Sequence, residues 1–247
     1  MKRTTLGLLS SVFVAIAAGC CLCELCPLAG TVELSYDFGD GAHGWQAGFA
    51  DYPVGTDAFH ELDSGIRPLP AELNTAKTGF LLSGNNHADD LFMFFAKKLG
   101  PEDGIVAGRT YCVRFVIRFA SNAPTGCFGV GGAPGENVYL KAGATPDEPT
   151  RSEDGNGWWR MDVDKGNQSE GGDAASSAGN VANGLDCNTV PEPRPYVSLT
   201  RRHTHTTTVT ADDDGVLWLL IGTDSGFEAT TALYYERVDV RLIPVAG

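Results

Sequence analysis

Apolar residues recur at every second position along much of this chain, and that period belongs to strands rather than helices. In TVELSYDF (31–38), Val32, Leu34, Tyr36 and Phe38 alternate with Thr31, Glu33, Ser35 and Asp37. In RTYCVRFVIRF (109–119), Tyr111, Val113, Phe115, Ile117 and Phe119 take one face, while Arg114 and Arg118 take the other. In LYYERVDVRLI (233–243), Tyr234, Val238, Val240 and Leu242 alternate with Tyr235, Arg237, Asp239 and Arg241. Each pattern predicts a half-buried strand. Two further runs, LFMFFA (91–96) and VLWLLIG (216–222), are apolar on both faces and suit strands central to a sandwich. Turn signals separate these runs: GDG at 39–41, SGNN at 83–86, GPEDG at 100–104, APTG at 123–126 and DDDG at 212–215. Little after residue 30 has helical period. The prediction is an all-β chain, a single antiparallel β-sandwich or jelly roll of about ten strands over residues 31–247.

One segment breaks the rhythm. Residues 164–195 are rich in Gly, Ser, Asn and Asp and carry no period, so they read as a long polar loop, either functional or merely solvated. Cys187 lies in it and could pin it down. With Cys112 and Cys127 it makes an odd set in the body of the chain, whose pairing cannot be deduced.

The other four of the seven cysteines crowd into GCCLCELC (19–26). Upstream, Lys2 and Arg3 precede an apolar run at 6–18, and Ala17, Ala18 and Gly19 lead into Cys20. This is a secretory signal layout. The run is shorter than the roughly 20 residues a membrane span needs. AIAAGC resembles the lipobox of bacterial lipoproteins, with Ala17 where a bulkier aliphatic is usual. The resemblance implies a signal peptide at 1–19, acylation of Cys20 and a Cys-rich tether at 20–30. The chain would then be exported and anchored to a membrane surface, the outer membrane if the cell has one. Zinc-type spacing wants two paired clusters, and Cys21, Cys23 and Cys26 supply only one. Loss of Lys2 and Arg3 with the signal takes the formal charge from -13 to -15, which argues against nucleic acid.

YDFGDGAHGWQAGF and the closing LWLLIGTDSGFEATTALYYERVDVRLIP look like the first and last strands of galactose-binding-like jelly rolls, a group that includes many carbohydrate-binding modules. The resemblance rests on Phe38, Gly41, Gly44 and Trp45 at the start and on Tyr235-Glu236-Arg237-Val238 at the end. Residues 121–144 also look like a stretch of uncharacterised bacterial lipoproteins. The jelly-roll resemblance implies a carbohydrate ligand and a structural calcium beside an acid of the last strand. Here that acid is Glu236, placed by the alternation on the row of Val238, Val240 and Leu242, with Asp40 and Asp37 at the first-strand turn. The alternative is a salt bridge from Glu236 to an arginine, or a register that turns it to solvent.

Ligand contacts are sought among exposed aromatics and loop polar groups. NNHADD offers Asn86, His87 and Asp89, either a metal or sugar-hydroxyl site or a polar turn with Asp capping amides. Trp158 and Trp159 must point to opposite faces of an extended segment, one available to stack on a sugar. Glu136 and Tyr139 follow the Gly-rich GVGGAPGE turn, which can shape a binding rim. His203 and His205 share a strand face and read as structural histidines. Asp-Ser-Gly occurs at 63–65 and 224–226, but the chain is short for a two-lobed aspartic protease. No G-x-S-x-G elbow is present. The expected function is a lipid-anchored, extracytoplasmic, non-catalytic module that binds carbohydrate. The alternatives are a polysaccharide lyase or hydrolase on the same fold, and a structural lipoprotein that binds another protein.

Overall fold

A computed structural model describes residues 29–73, 75–87 and 90–245. The expectations at Cys20 and Asp89 lie outside the described residues. The strands are β1 (Val32–Asp37), β2 (Gln46–Ala50), β3 (Tyr52–Pro53), β4 (Asp63–Pro68), β5 (Thr78–Asn85), β6 (Leu91–Leu99), β7 (Thr110–Ser121), β8 (Val138–Thr145), β9 (Arg151–Glu153), β10 (Trp158–Met161), β11 (Ser176–Asn180), β12 (Val197–Thr204), β13 (Val209–Thr210), β14 (Leu217–Ser225) and β15 (Thr230–Pro244). The number exceeds ten because several strands are only two to five residues long.

Two antiparallel sheets face each other. The first runs β12-β7-β15-β5-β4, with β1 also on β15 and β13 also on β7; the second runs β11-β8-β14-β6-β2. The chain crosses between them repeatedly: β5 to β6, β7 to β8, β11 to β12, and β13 to β14 to β15. The inward row of β7 (Tyr111, Val113, Phe115, Ile117 and Phe119) is at most 1% exposed. The apolar run at 91–96 becomes β6, paired along its length with β14. Phe38 and Trp45 belong to the core, where Trp45 lies 4.8 Å and Phe38 5.8 Å from the Phe95 ring. Each such side chain contributes roughly 1.5–3 kcal/mol of apolar burial.

Two expectations change. The alternation along β15 breaks at Glu236, where the pairing with β7 slips between Tyr235 and Arg237. This bulge adds one residue to β15 and shifts the face of everything before it. Tyr235, not Tyr234, is fully buried, alongside Val238, Val240 and Leu242. Glu236 therefore leaves the apolar row; it pairs with Arg118 at 3.0 Å and accepts a bond from the Ser198 hydroxyl. The polar segment 164–195 is not all loop, because β11 lies within it as an edge strand on β8. SSAGN has neither apolar alternation nor bulk, so its strand character comes from pairing alone. A Cys127–Cys187 disulfide ties this segment to the turn after β7.

The outer face of the second sheet is partly covered. A small sheet, β3-β10-β9, lies beside it. A cap at 161–175 packs Met161, Val163 and Ala175 against Ala50, Phe92, Phe94, Ala96 and Leu220. The cap touches the sheet closely at Gly143, where a Cβ would sit 2.3 Å from the Ala174 carbonyl oxygen.

Candidate binding cleft and its charged brace

Where the cap ends, the outer face opens into a cleft of about 650 Å³. Strand alternation that sends Phe95 and Leu219 into the core sends Phe94, Ala96 and Trp218 outward, and these three line the cleft. Gly48 of β2 sits beside Phe94, and a Cβ there would lie 2.3 Å from Phe94 Cζ. Only glycine lets the ring lie across that strand. Asp57 and Glu61 come from the turn before β4; Glu148 and Pro149 come from the β8–β9 connection, and Arg151 opens β9.

Arg151 is fixed in place. Its guanidinium lies 4.4 Å from the Trp159 ring centre and 5.4 Å from that of Tyr52. It pairs with Asp57 at 3.5 Å and donates to the Phe49 carbonyl at 3.3 Å. The Tyr52 hydroxyl donates to Asp57 at 2.8 Å. Burial pushes Tyr52 up to about 12, helped by the bond to Asp57. Burial also works upward on the Asp57 carboxyl, but the Tyr52 bond and Arg151 outweigh it and hold that carboxyl below its ordinary range.

Beside the cleft, charged side chains brace the cap. Lys165 Nζ lies 2.8 Å from Asp224 Oδ2 and 3.1 Å from Asp51 Oδ2. Lys141, fully buried on β8, lies 3.9 Å from Asp224 and donates to the carbonyls of Lys165 and Glu170. The Gln168 backbone N–H reaches Asp224 at 2.8 Å. Burial lowers Lys141's proton affinity; Lys165 is raised, since Asp224 and Asp51 overcome its burial. Asp90 completes the group: burial, then the charge of Asp224, pushes it up to about 7. Asp51, Asp90 and Lys165 line a shallow polar depression of about 380 Å³. Asp224, the first residue of the second Asp-Ser-Gly tripeptide, is thus a fully buried strand residue that anchors the cap.

The residues singled out in the sequence do not converge on one place. Asn86 is 1% exposed and donates to the carbonyls of Ser225 and Phe227, so it pins a turn. His87 is exposed and stacks on Phe59 at 4.1 Å. Glu136 accepts the Gly126 N–H at 2.8 Å, and Tyr139 takes a 3.5 Å bond from Asn137. Trp158 and Trp159 are both half-buried. Trp159 packs against the core and supports Arg151, while Trp158 carries Arg160 at 4.7 Å. His203 and His205 share Ser176 Oγ, 2.8 Å from each ring.

Two of the three acids expected beside a calcium ion have partners of their own. Asp37 accepts the Gly39 N–H at 2.9 Å and faces Lys77 at 3.6 Å, Asp40 ends an exposed 3-10 turn, and Glu236 is engaged by Arg118. Among the described residues, no group of three His, Cys, Asp or Glu side chains is placed to hold a metal ion.

The cleft itself was missed, although Phe94 and Trp218 lay in runs read as core. A tryptophan among aliphatics in VLWLLIG was the available signal.

No family model matches the chain, and no curated protein does. A carbohydrate-binding module of the β-sandwich superfamily superposes with a TM-score of 0.39 at 10% identity, over 85% of this chain and 61% of its own. A tandem pair of family 22 carbohydrate-binding modules from Paenibacillus barcinonensis gives 0.37 at 17% identity, over 87% of this chain and 45% of its own. A mannan-recognising module gives 0.37 at 12% identity, over 87% and 99%. This chain spans less than two thirds of the length of the first two structures. At such identities and TM-scores none of them locates a site in this chain.

Proposed function

We propose that the chain is a non-catalytic carbohydrate-binding module, held on the outside of a membrane by an acyl group on Cys20. The observation that carries the binding half is the open cleft, with its apolar floor and hydrogen-bonding rim. A pyranose presents C–H faces and hydroxyl edges. Trp218 and Phe94 suit the first; the rim carboxylates, Gln46 and Thr150 suit the second. The volume, about 650 Å³, falls in the range of small-molecule sites. Asp57 is held ionised, the opposite of what a glycosidase's general acid needs. Export is supported by the Lys2/Arg3 signal layout and by the Cys127–Cys187 disulfide, a bond of oxidising compartments.

The test is calorimetric titration of the full chain with a panel of neutral oligosaccharides. Trp218→Ala should weaken the bound sugar at least tenfold, about 1.4 kcal/mol, with the circular dichroism spectrum unchanged. No binding across the panel, or affinity indifferent to Trp218, would overturn the reading. Turnover of any panel member would overturn its non-catalytic part. Mass spectrometry of the mature N-terminus should find a diacylglyceryl adduct on Cys20.

A further inference from the structure

The ionic make-up of the cleft wall narrows the ligand. Arg151 is the one basic side chain among the residues lining the cleft. It is already engaged: Asp57 lies 3.5 Å away, and the guanidinium is packed over Trp159 and Tyr52. A carboxylated or sulfated sugar would have to displace Asp57 to reach it. Two more carboxylates, Glu61 and Glu148, line the same wall and are exposed. Glu61 has a long 3.4 Å bond from Asn85 Nδ2, and neither glutamate has a basic partner within ion-pair distance among the described residues. The whole chain adds a field of the same sign, with 31 acids against 18 bases. An anionic glycan entering the cleft therefore meets net repulsion and no unengaged cation among the lining residues; the exposed Lys98, across from Trp218, is not one of them. An amine-bearing glycan meets carboxylates whose hydrogen-bonding capacity is open, above an apolar floor that takes its ring faces.

We infer that the cleft selects amine-bearing glycans, such as glucosamine oligomers, over neutral ones and rejects anionic ones. This rests on the carbohydrate reading of the same cleft. The groups act at an open surface, so the discrimination is electrostatic and screened by salt.

The experiment titrates the full chain in mildly acidic, low-salt buffer with three probes: the glucosamine tetramer, its fully N-acetylated counterpart and a galacturonate oligomer. The first two share a backbone and differ in amine charge. The glucosamine tetramer should bind about five- to tenfold more tightly than the N-acetylated one, the size expected of two exposed ion pairs. The gap should close in about 1 M salt, where the screening length is roughly 3 Å. Galacturonate should not bind. Glu61→Gln with Glu148→Gln should erase the amine preference, bringing the two tetramers to within about twofold of each other, and an unchanged circular dichroism spectrum shows that the double variant is folded. Equal affinity for the two tetramers, a preference that survives high salt or the double variant, or tight galacturonate binding would overturn charge selection while leaving the carbohydrate site standing. Absence of binding by every glycan, neutral panel included, would overturn both.

Discussion

Asp90 illustrates how one side chain can work against the fold that holds it. It sits where burial and the nearby Asp224 carboxylate both oppose its ionisation, and only Lys165 favours it. Its proton therefore leaves the folded chain near pH 7 but leaves the unfolded chain near the ordinary carboxylate value of 3.8. Between those limits the unfolded state releases a proton that the folded state keeps, so the residue lowers stability progressively as pH rises through that window. Asp90→Asn removes the titration while keeping the shape. The variant should gain on the parent as pH rises through the window, reaching about 2 kcal/mol above neutral pH, and should match it in acid. Denaturant unfolding at several pH values measures this; a constant difference at all pH values would refute it. Glu236 makes the complementary point. Its carboxylate is satisfied by Arg118 and Ser198 because a bulge lifts it out of the apolar row.

Among the elements, the edge strand β11 depends on a contact that titrates. Ser176 Oγ bridges His203 and His205, and the Thr206 N–H also reaches it at 3.2 Å. A hydroxyl has one proton, so one ring accepts it and the other donates its own N–H. The accepting ring can do this only when neutral. Burial, then the neighbouring His205, pushes His203 down to about 4, and burial depresses His205 as well. A depressed histidine leaves the fold at full stability above the ordinary value of 6.5 and weakens it as pH falls toward about 4. The parent should lose about 2 kcal/mol over that interval, and His203→Gln should flatten the loss. Thermal melts across the interval check it, and an equally steep acid decline in the variant would refute it.

The same elements show what was legible beforehand. β7 was readable because Tyr111 to Phe119 keep strict alternation and one face meets the core. β6 and β14 were readable as central strands because both their faces are apolar. The upper half of β15 was misread because a single inserted residue inverts the parity, and alternation carries no mark of a bulge. β11 was invisible because Ser, Ala and Gly have no period to display. The cleft was illegible for a different reason: its lining comes from five separate stretches, around residues 46–49, 57–62, 94–96, 148–151 and 218. An apolar residue on an outward face looks like core in sequence, and only the placement of the cap at 161–175 shows which outward residues stay open.

For the whole molecule, the Cys127–Cys187 bond closes a loop of 60 residues that includes β8 to β11 and the cap. Loop-closure entropy for that length corresponds to about 4 kcal/mol of stabilisation. A Cys127→Ala, Cys187→Ala variant should unfold at lower denaturant by roughly that amount; a loss below about 1 kcal/mol would show that the cap and β11 are ordered without it. The ladder between β1 and β15 bears on mechanics. Val32 of β1 lies opposite Leu242 and Asp37 opposite Arg237, so β1 enters the sandwich lengthwise along β15. Under the proposed anchorage at Cys20, a pull applied to the N-terminal end of β1 along its axis would load this ladder. Its ladder bonds to β15 are then strained together rather than peeled one at a time. Such a load is shear, the direction in which a paired strand yields last.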